Sequence, residues 1–168
     1  GSPLYEVYNF YKKKILNSKI LAKYNLKKNE YYLLSVHREE NINSENNLKK
    51  LINLLSKLNS RGNEKIVFSA HPRTIKSLAK FNLKKFKKIM ILKPFSYSDY
   101  MNLQMNSKLV LSDSGSITEE ASILNFSAIN LRNTNERQEG MAYGIAPMVH
   151  FDYDKIDTLI DYLKDNNF

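Results

Sequence analysis

Short apolar runs alternate with amphipathic stretches along almost the whole chain, and this alternation limits the fold more than any other feature of the sequence. The runs are Tyr31 to Val36, Lys65 to Ala70, Ile89 to Leu92, Leu109 to Leu111 and Ser127 to Leu131, with a sixth expected at Ala146 to His150. Between them, Ser44 suits a helix N-cap, and Leu48, Leu51, Ile52, Leu55 and Leu58 then fall on one helical face. Further helices are expected from about Thr74, over Tyr97 to Asn106, from Ile117, and over Asp154 to Leu163. At the start, Ser2 and Pro3 suit the N-cap and first position of a helix to about Ala22, with Leu4, Val7, Tyr8, Tyr11, Ile15 and Leu16 at helical spacing. Short strands alternating with helices imply an α/β domain, Rossmann-like, with a doubly wound parallel sheet of about six strands covered on both faces.

Such sheets bind ligands beyond the carboxyl ends of their strands. That rule singles out the segments after each strand: Ser35-Val-His-Arg-Glu-Glu-Asn41, Ala70-His-Pro-Arg73, Lys93-Pro-Phe-Ser96, Ser112-Asp-Ser-Gly-Ser116 and Arg132-Asn-Thr-Asn-Glu-Arg137. Two of the three His and four of the five Arg follow strand ends directly, as a single crevice would require.

The fourth of these segments carries the clearest chemistry. The first N–H groups of a helix have no intrahelical partner, and the helix dipole adds partial positive charge there, so a strand–turn–helix junction can hold a phosphate. Gly115 permits close approach of an anion, and Ser114 and Ser116 offer hydroxyls. A carboxylate one turn further, at Glu119 or Glu120, could accept from a ribose diol. The plainer reading of these residues is a capped helix with a solvated Glu119–Glu120 pair. His37 and Arg38 could face a diphosphate, or form a loop held by pairing of Arg38 with Glu39 or Glu40. Pro72 after His71 mainly fixes loop geometry. Phe95, Tyr97 and Tyr100 suit either base stacking or the core. Glu136 to Glu139 reads as a solvated charge run, and His150 as a core or surface histidine.

Composition narrows the classes of function. With 168 residues the chain is about one domain, and with no Cys it has neither disulfides nor thiolate chemistry. No apolar run approaches a membrane span, and nothing resembles a signal peptide, so a cytoplasmic location is expected. The net charge of +9 is concentrated in residues 1–30 and 73–93, and the remainder, which holds most candidate site residues, is net acidic. Lys outnumbers Arg 21 to 5, so the basic clusters read as solvated faces in preference to a nucleic-acid footprint. No nucleophile elbow, metal-ligand spacing, dinucleotide fingerprint or P-loop occurs, so no cofactor or metal is expected. A phosphate cradle, a ribose carboxylate and basic neighbouring loops remain, which reads as binding of a nucleotide diphosphate, with a nucleotide sugar as candidate.

Residues 35–41, 71–73, 112–120 and 132–139, taken together and in this order, resemble the C-terminal half of the non-hydrolysing UDP-N-acetylglucosamine 2-epimerases. Residues 71–73 and 99–106 look closer to a branch acting on UDP-linked 6-deoxy-N-acetylhexosamines. The resemblance implies one half of a GT-B-type two-domain enzyme, a homodimer in its complete form, which inverts C2 by anti elimination of UDP and readdition. It assigns His37 a catalytic place at the diphosphate, with UDP contacts at Ser114, Gly115, Ser116, Glu120, Tyr100 and Arg137. It places Arg38, Glu40 and His71 in loops that contact a regulatory UDP-sugar in bacterial members.

Three departures accompany it. The family's acid and base carboxylates belong to an N-terminal domain absent from residues 1–168, family members continue past Phe168, and Glu39 and Gln138 replace the usual Arg and Pro. The resemblance therefore implies a UDP-binding domain that is inactive alone. The alternatives are the donor-binding half of a GT-B glycosyltransferase and a basic nucleic-acid-binding module.

Overall fold

The computed structural model describes residues 2–132 and 146–166. Its five parallel strands are β1 (Tyr31–Ser35), β2 (Lys65–Ser69), β3 (Ile89–Leu92), β4 (Leu109–Ser112) and β5 (Ala128–Asn130), in the order β3-β2-β1-β4-β5. The chain winds outward from β1 to β3, then returns to the other side of β1 with β4. The order therefore reverses between β1 and β4, and the loops leaving these two neighbours flank a crevice.

Strand residues alternate between two cores. Tyr32, Leu34, Ile66, Phe68, Leu109, Leu111 and Ile129 face one layer, formed by α4 (Glu45–Arg61), α5 (Pro72–Leu78) and α8 (Tyr153–Asn166). Tyr31, Leu33, Val67, Val110 and Ala128 face the other, formed by α2 (Ile20–Lys23), α6 (Tyr97–Asn106) and α7 (Ile117–Leu124). Burial on both faces explains the continuously apolar strands. That character stops at their carboxyl ends, where Ser69, Ser35, Ser112 and Asn130 lie in register across four neighbouring strands.

Two expectations need correction. The sixth strand is reduced to a single bridge between Asn130 and Met148: Asn130 N donates to Pro147 O and Val149 N to Asn130 O, while Pro147 has no N–H to extend the ladder. The first helix does not reach Ala22. It ends as α1 (Pro3–Leu16), and Ser18 Oγ then accepts from Ile20 N to start α2. Nor does the apolar spacing of α1 mark a buried stripe. This helix rests on α6 and α7 outside the sheet, and only Ile15 is buried. A short helix, α3 (Glu39–Ile42), lies unforeseen within the His37–Asn41 segment.

Arg61, at the end of α4, fastens α8 by donating from Nε to Asp157 Oδ1 at 2.6 Å and pairing with Asp161. The hydrogen bond from Arg61 holds the Asp157 carboxyl below its usual range. A carboxyl depressed in the folded state contributes stability above its unfolded pKa of about 3.9 and loses it as pH falls through the lower native value. In urea unfolding, Arg61→Ala is therefore expected to be less stable than the parent at pH 7, with the gap narrowing towards pH 3.

Candidate functional site: a crevice between the β1 and β4 loops

The two loops are joined by one buried carboxylate. Asp113, immediately after β4 and with no exposed surface, accepts from the backbone N of His37 at 3.1 Å and of Arg38 at 3.0 Å, and from Asn41 Nδ2 at 2.9 Å. His37 Nδ1 lies 3.1 Å from Asp113 Oδ1, and the His37 ring is half exposed. Arg38 Nε donates to the backbone oxygen of Asp113 at 2.9 Å, and Asp113 N to Ser35 O at 3.2 Å. Nothing in the sequence made Asp113 more than a turn residue. The missed signal is an Asp directly after an apolar strand, where a buried carboxylate must find donors.

Beyond Asp113 the chain turns through Ser114, Gly115 and Ser116 into α7. The N-cap Ser116 accepts no backbone N–H of its helix with its side chain, unlike Ser2, Ser44 and Ser96, which cap α1, α4 and α6. Its hydroxyl instead donates to Glu120 Oε1 at 2.8 Å and lies 3.0 Å from Ser114 Oγ. Within the turn Ser114 N donates to Ser112 Oγ at 3.1 Å, Ser116 N to Ser114 Oγ at 3.4 Å and Ile117 N to Ser114 O at 3.5 Å, the last two long, and the start of α7 keeps the partial positive charge of a helix end without a side-chain cap. A Cβ on Gly115 would stand 3.7 Å from Arg132 Nη1 and 3.9 Å from Arg38 Nη2. Gly115 therefore owes nothing to a strained backbone; it keeps open a space that two guanidinium groups approach.

Glu120 faces inward, with Oε2 accepting from the buried Gln104 Nε2 at 2.9 Å, whereas Glu119 is exposed and bonds Ser2 Oγ. A cleft of about 360 Å³ is lined by Ser35, His37, Ser69, His71, Pro94, Phe95, Tyr97, Tyr100, Ser114 and Glu120, which come from four of the five strand ends expected to converge and from the helices α6 and α7. Two larger hollows, of about 480 and 540 Å³, lie beside Asn25–Glu30 and beside Ile75–Lys84; neither touches the carboxyl ends of β1 and β4. The core reading of the aromatics holds in part. Phe95 and Tyr100 pack on the second core while lining the cleft, and Tyr97 stacks at a tilt on Tyr11. Burial, with the Glu120 and Asp113 charges adding, pushes the Tyr100 phenol up to about 12, so it enters any chemistry as a neutral hydroxyl.

The remaining expected residues divide. His71 lines the cleft, but its Nδ1 caps α5 by accepting from Arg73 N at 3.2 Å. Arg38 Nη1 pairs with Glu40 at 3.5 Å, so the loop-holding reading of Arg38 is correct as far as it goes. Arg73 pairs with Glu39, and both are exposed. Arg137 and the Glu136–Glu139 run lie outside the described residues. Among the described residues no group of three or more His, Cys, Asp or Glu could hold a metal, and no helix is long and apolar enough to cross a membrane.

A sequence model of UDP-N-acetylglucosamine 2-epimerase matches residues 1–167. The chain belongs to the UDP-N-acetylglucosamine 2-epimerase family. It is 36% identical over 138 residues to the UDP-N-acetylglucosamine 2-epimerase of Methanocaldococcus jannaschii, covering 80% of this chain and 38% of that one. The solved epimerase of Rickettsia bellii superposes with a TM-score of 0.86 at 40% identity, over 99% of this chain and 44% of that one. The M. jannaschii epimerase in complex with UDP-GlcNAc and UDP gives 0.78 at 34% identity, over 89% and 43%. The chain thus spans about two fifths of the length of these epimerases, and its fold is that of one part of a GT-B-type enzyme. The epimerase family is one of isomerases.

The opening beside Gly115 is expected to tolerate a methyl group in the unliganded epimerase-family domain. Gly115→Ala should change stability by no more than about 0.5 kcal/mol in urea unfolding. A larger loss would mean that the turn is closed.

Proposed function

We propose that these 168 residues are the UDP-binding domain of a UDP-N-acetylhexosamine 2-epimerase. The observation that carries this reading is the Gly115 turn: an open backbone, an uncapped helix N-terminus and two converging guanidinium groups, from Arg38 and Arg132. Backbone donors of that turn, the Ser114 and Ser116 hydroxyls and the two arginines would hold the diphosphate. Glu120, already poised by Ser116 and Gln104, would accept from a ribose diol. Phe95, Tyr97 and Tyr100 would line the path of the uracil.

In this reading the domain acts on the leaving group. Anti elimination of UDP from the sugar places growing negative charge on the diphosphate as the C1–O bond breaks, and readdition at C2-inverted geometry reverses it. Donors fixed before the reaction stabilise that charge most when it is fully formed. The carboxylates that move the C2 proton belong, on the family resemblance, to a domain outside this sequence. The chain alone is therefore proposed to bind UDP and to turn over neither UDP-GlcNAc nor its 6-deoxy equivalent.

Titration of the 168-residue chain with UDP tests this. Amide NMR shifts should concentrate at Gly115, Ser116 and His37, with a Kd of roughly 0.1 mM or weaker, about −5.5 kcal/mol. Gly115→Ala should weaken binding at least about tenfold. Shifts confined to the Lys-rich segment 73–93, or epimerisation by the chain alone, would contradict the proposal.

A further inference from the structure

One polar side chain that serves the crevice lies wholly inside the protein. Gln104, on α6, has no exposed surface, and its Nε2 donates to Glu120 Oε2 at 2.9 Å. The amide cannot stand the other way round, because Oε1 against the carboxylate would set two acceptors face to face. In this orientation Gln104 Oε1 is buried and lacks a hydrogen-bond partner among the described residues. An unpaired buried acceptor opposes folding, and a leucine or methionine at the same place would not incur it. Packing alone therefore favours an apolar residue here, and what the amide gains is its hold on Glu120. Tyr100, kept neutral by burial, stands beside Gln104, so no second anion competes for that amide.

From the other side Ser116 Oγ donates to Glu120 Oε1 at 2.8 Å, so each carboxylate oxygen keeps a further lone pair. The two donors differ in what a ligand would do to them. Ser116 stands in the turn and can rotate its hydroxyl to a phosphate oxygen, which frees Oε1. Gln104 has no access to the cleft and could release Oε2 only by leaving a buried N–H unpaired. We infer that Gln104 is a positioning residue that fixes the Glu120 carboxylate with both oxygens available to the cleft, so that the site requires two adjacent hydroxyls and selects a ribonucleotide over its 2′-deoxy counterpart. The inference rests on the UDP reading of the crevice. A carboxylate free to turn meets a lone hydroxyl with either oxygen and loses little when the second hydroxyl is missing. One held at Oε2 offers two acceptors at set positions, and a sugar without O2′ leaves one of them unmatched.

Paired titrations of the 168-residue chain with UDP and 2′-deoxy-UDP, read by amide NMR shifts, test the inference. The parent is expected to bind UDP at least about tenfold more tightly than 2′-deoxy-UDP. Gln104→Leu should unfold in urea no earlier than the parent, since the orphaned acceptor leaves with the amide, yet its preference for UDP should fall below about threefold. A merely structural role predicts the reverse, a loss of stability with the preference intact. Gln104→Met, unbranched like glutamine, takes the place of the leucine variant if that one does not fold, and the preference of the parent needs no variant. Equal binding of the two nucleotides by the parent, or an undiminished preference in whichever variant folds, overturns the inference and leaves the UDP reading standing. Failure of the parent to bind either nucleotide overturns the UDP reading, and the selectivity with it.

Discussion

Burial of the Asp113 carboxylate is the constraint around which the crevice is built. A carboxylate withdrawn from water costs several kcal/mol unless donors surround it. Here they come from one segment, the backbone N–H groups of His37 and Arg38 and the side-chain amide of Asn41, with the His37 ring at ion-pair distance. The requirement runs both ways. The β1 loop must fold back as the short helix α3 to deliver those donors, and once it does so, Arg38 and His37 have little freedom left. A site that must meet a ligand with fixed groups gains from being held by an interaction so expensive to break.

The sheet decides where this clamp can stand. Reversal of strand order between β1 and β4 makes these neighbours part company at their carboxyl ends, and both adjoining loops open to the same side. The apolar strands end together in the row Ser69, Ser35, Ser112 and Asn130, so the floor of the crevice is polar while the layers beneath are not. On that floor the start of α7 is left without a side-chain cap, and Ser116, which would ordinarily supply one, holds Glu120 instead. A helix end that gives up a cap worth about 1 kcal/mol, beside two guanidinium groups, is the feature on which the proposed diphosphate site rests. In the proposed reading the ligand is UDP, and the turn holds its diphosphate.

Much of this was legible in the sequence because it follows from local rules. Continuous apolar runs marked strands covered on both faces, and basic residues after strand ends marked the loops that converge. The Gly115 turn could be read from its place after the fourth strand, whereas spacing left Glu119 and Glu120 open between a ribose partner and a solvated pair. What was not legible depends on tertiary partners. Asp113 looked like any turn residue until its donors, more than seventy positions away in the chain, were brought to it. His150 looked like a stray histidine until Asn41 stood beside it. The apolar spacing of α1 marked a helix but not its place, and the sheet face beside it is occupied by α2, α6 and α7. Pro147 was visible, yet its effect on the expected sixth strand depended on which side of the segment faced β5.

Amide hydrogen exchange at His37 and Arg38 tests the clamp most directly. Both N–H groups belong to a loop and would ordinarily exchange fast, but here they point at a buried carboxylate. They are expected to exchange as slowly as the amides of β1, and Asp113→Ala should release both while β1 stays protected. Exchange of both amides at the rate of an open loop in the parent chain, or protection that survives Asp113→Ala, would show that the crevice is held by something else.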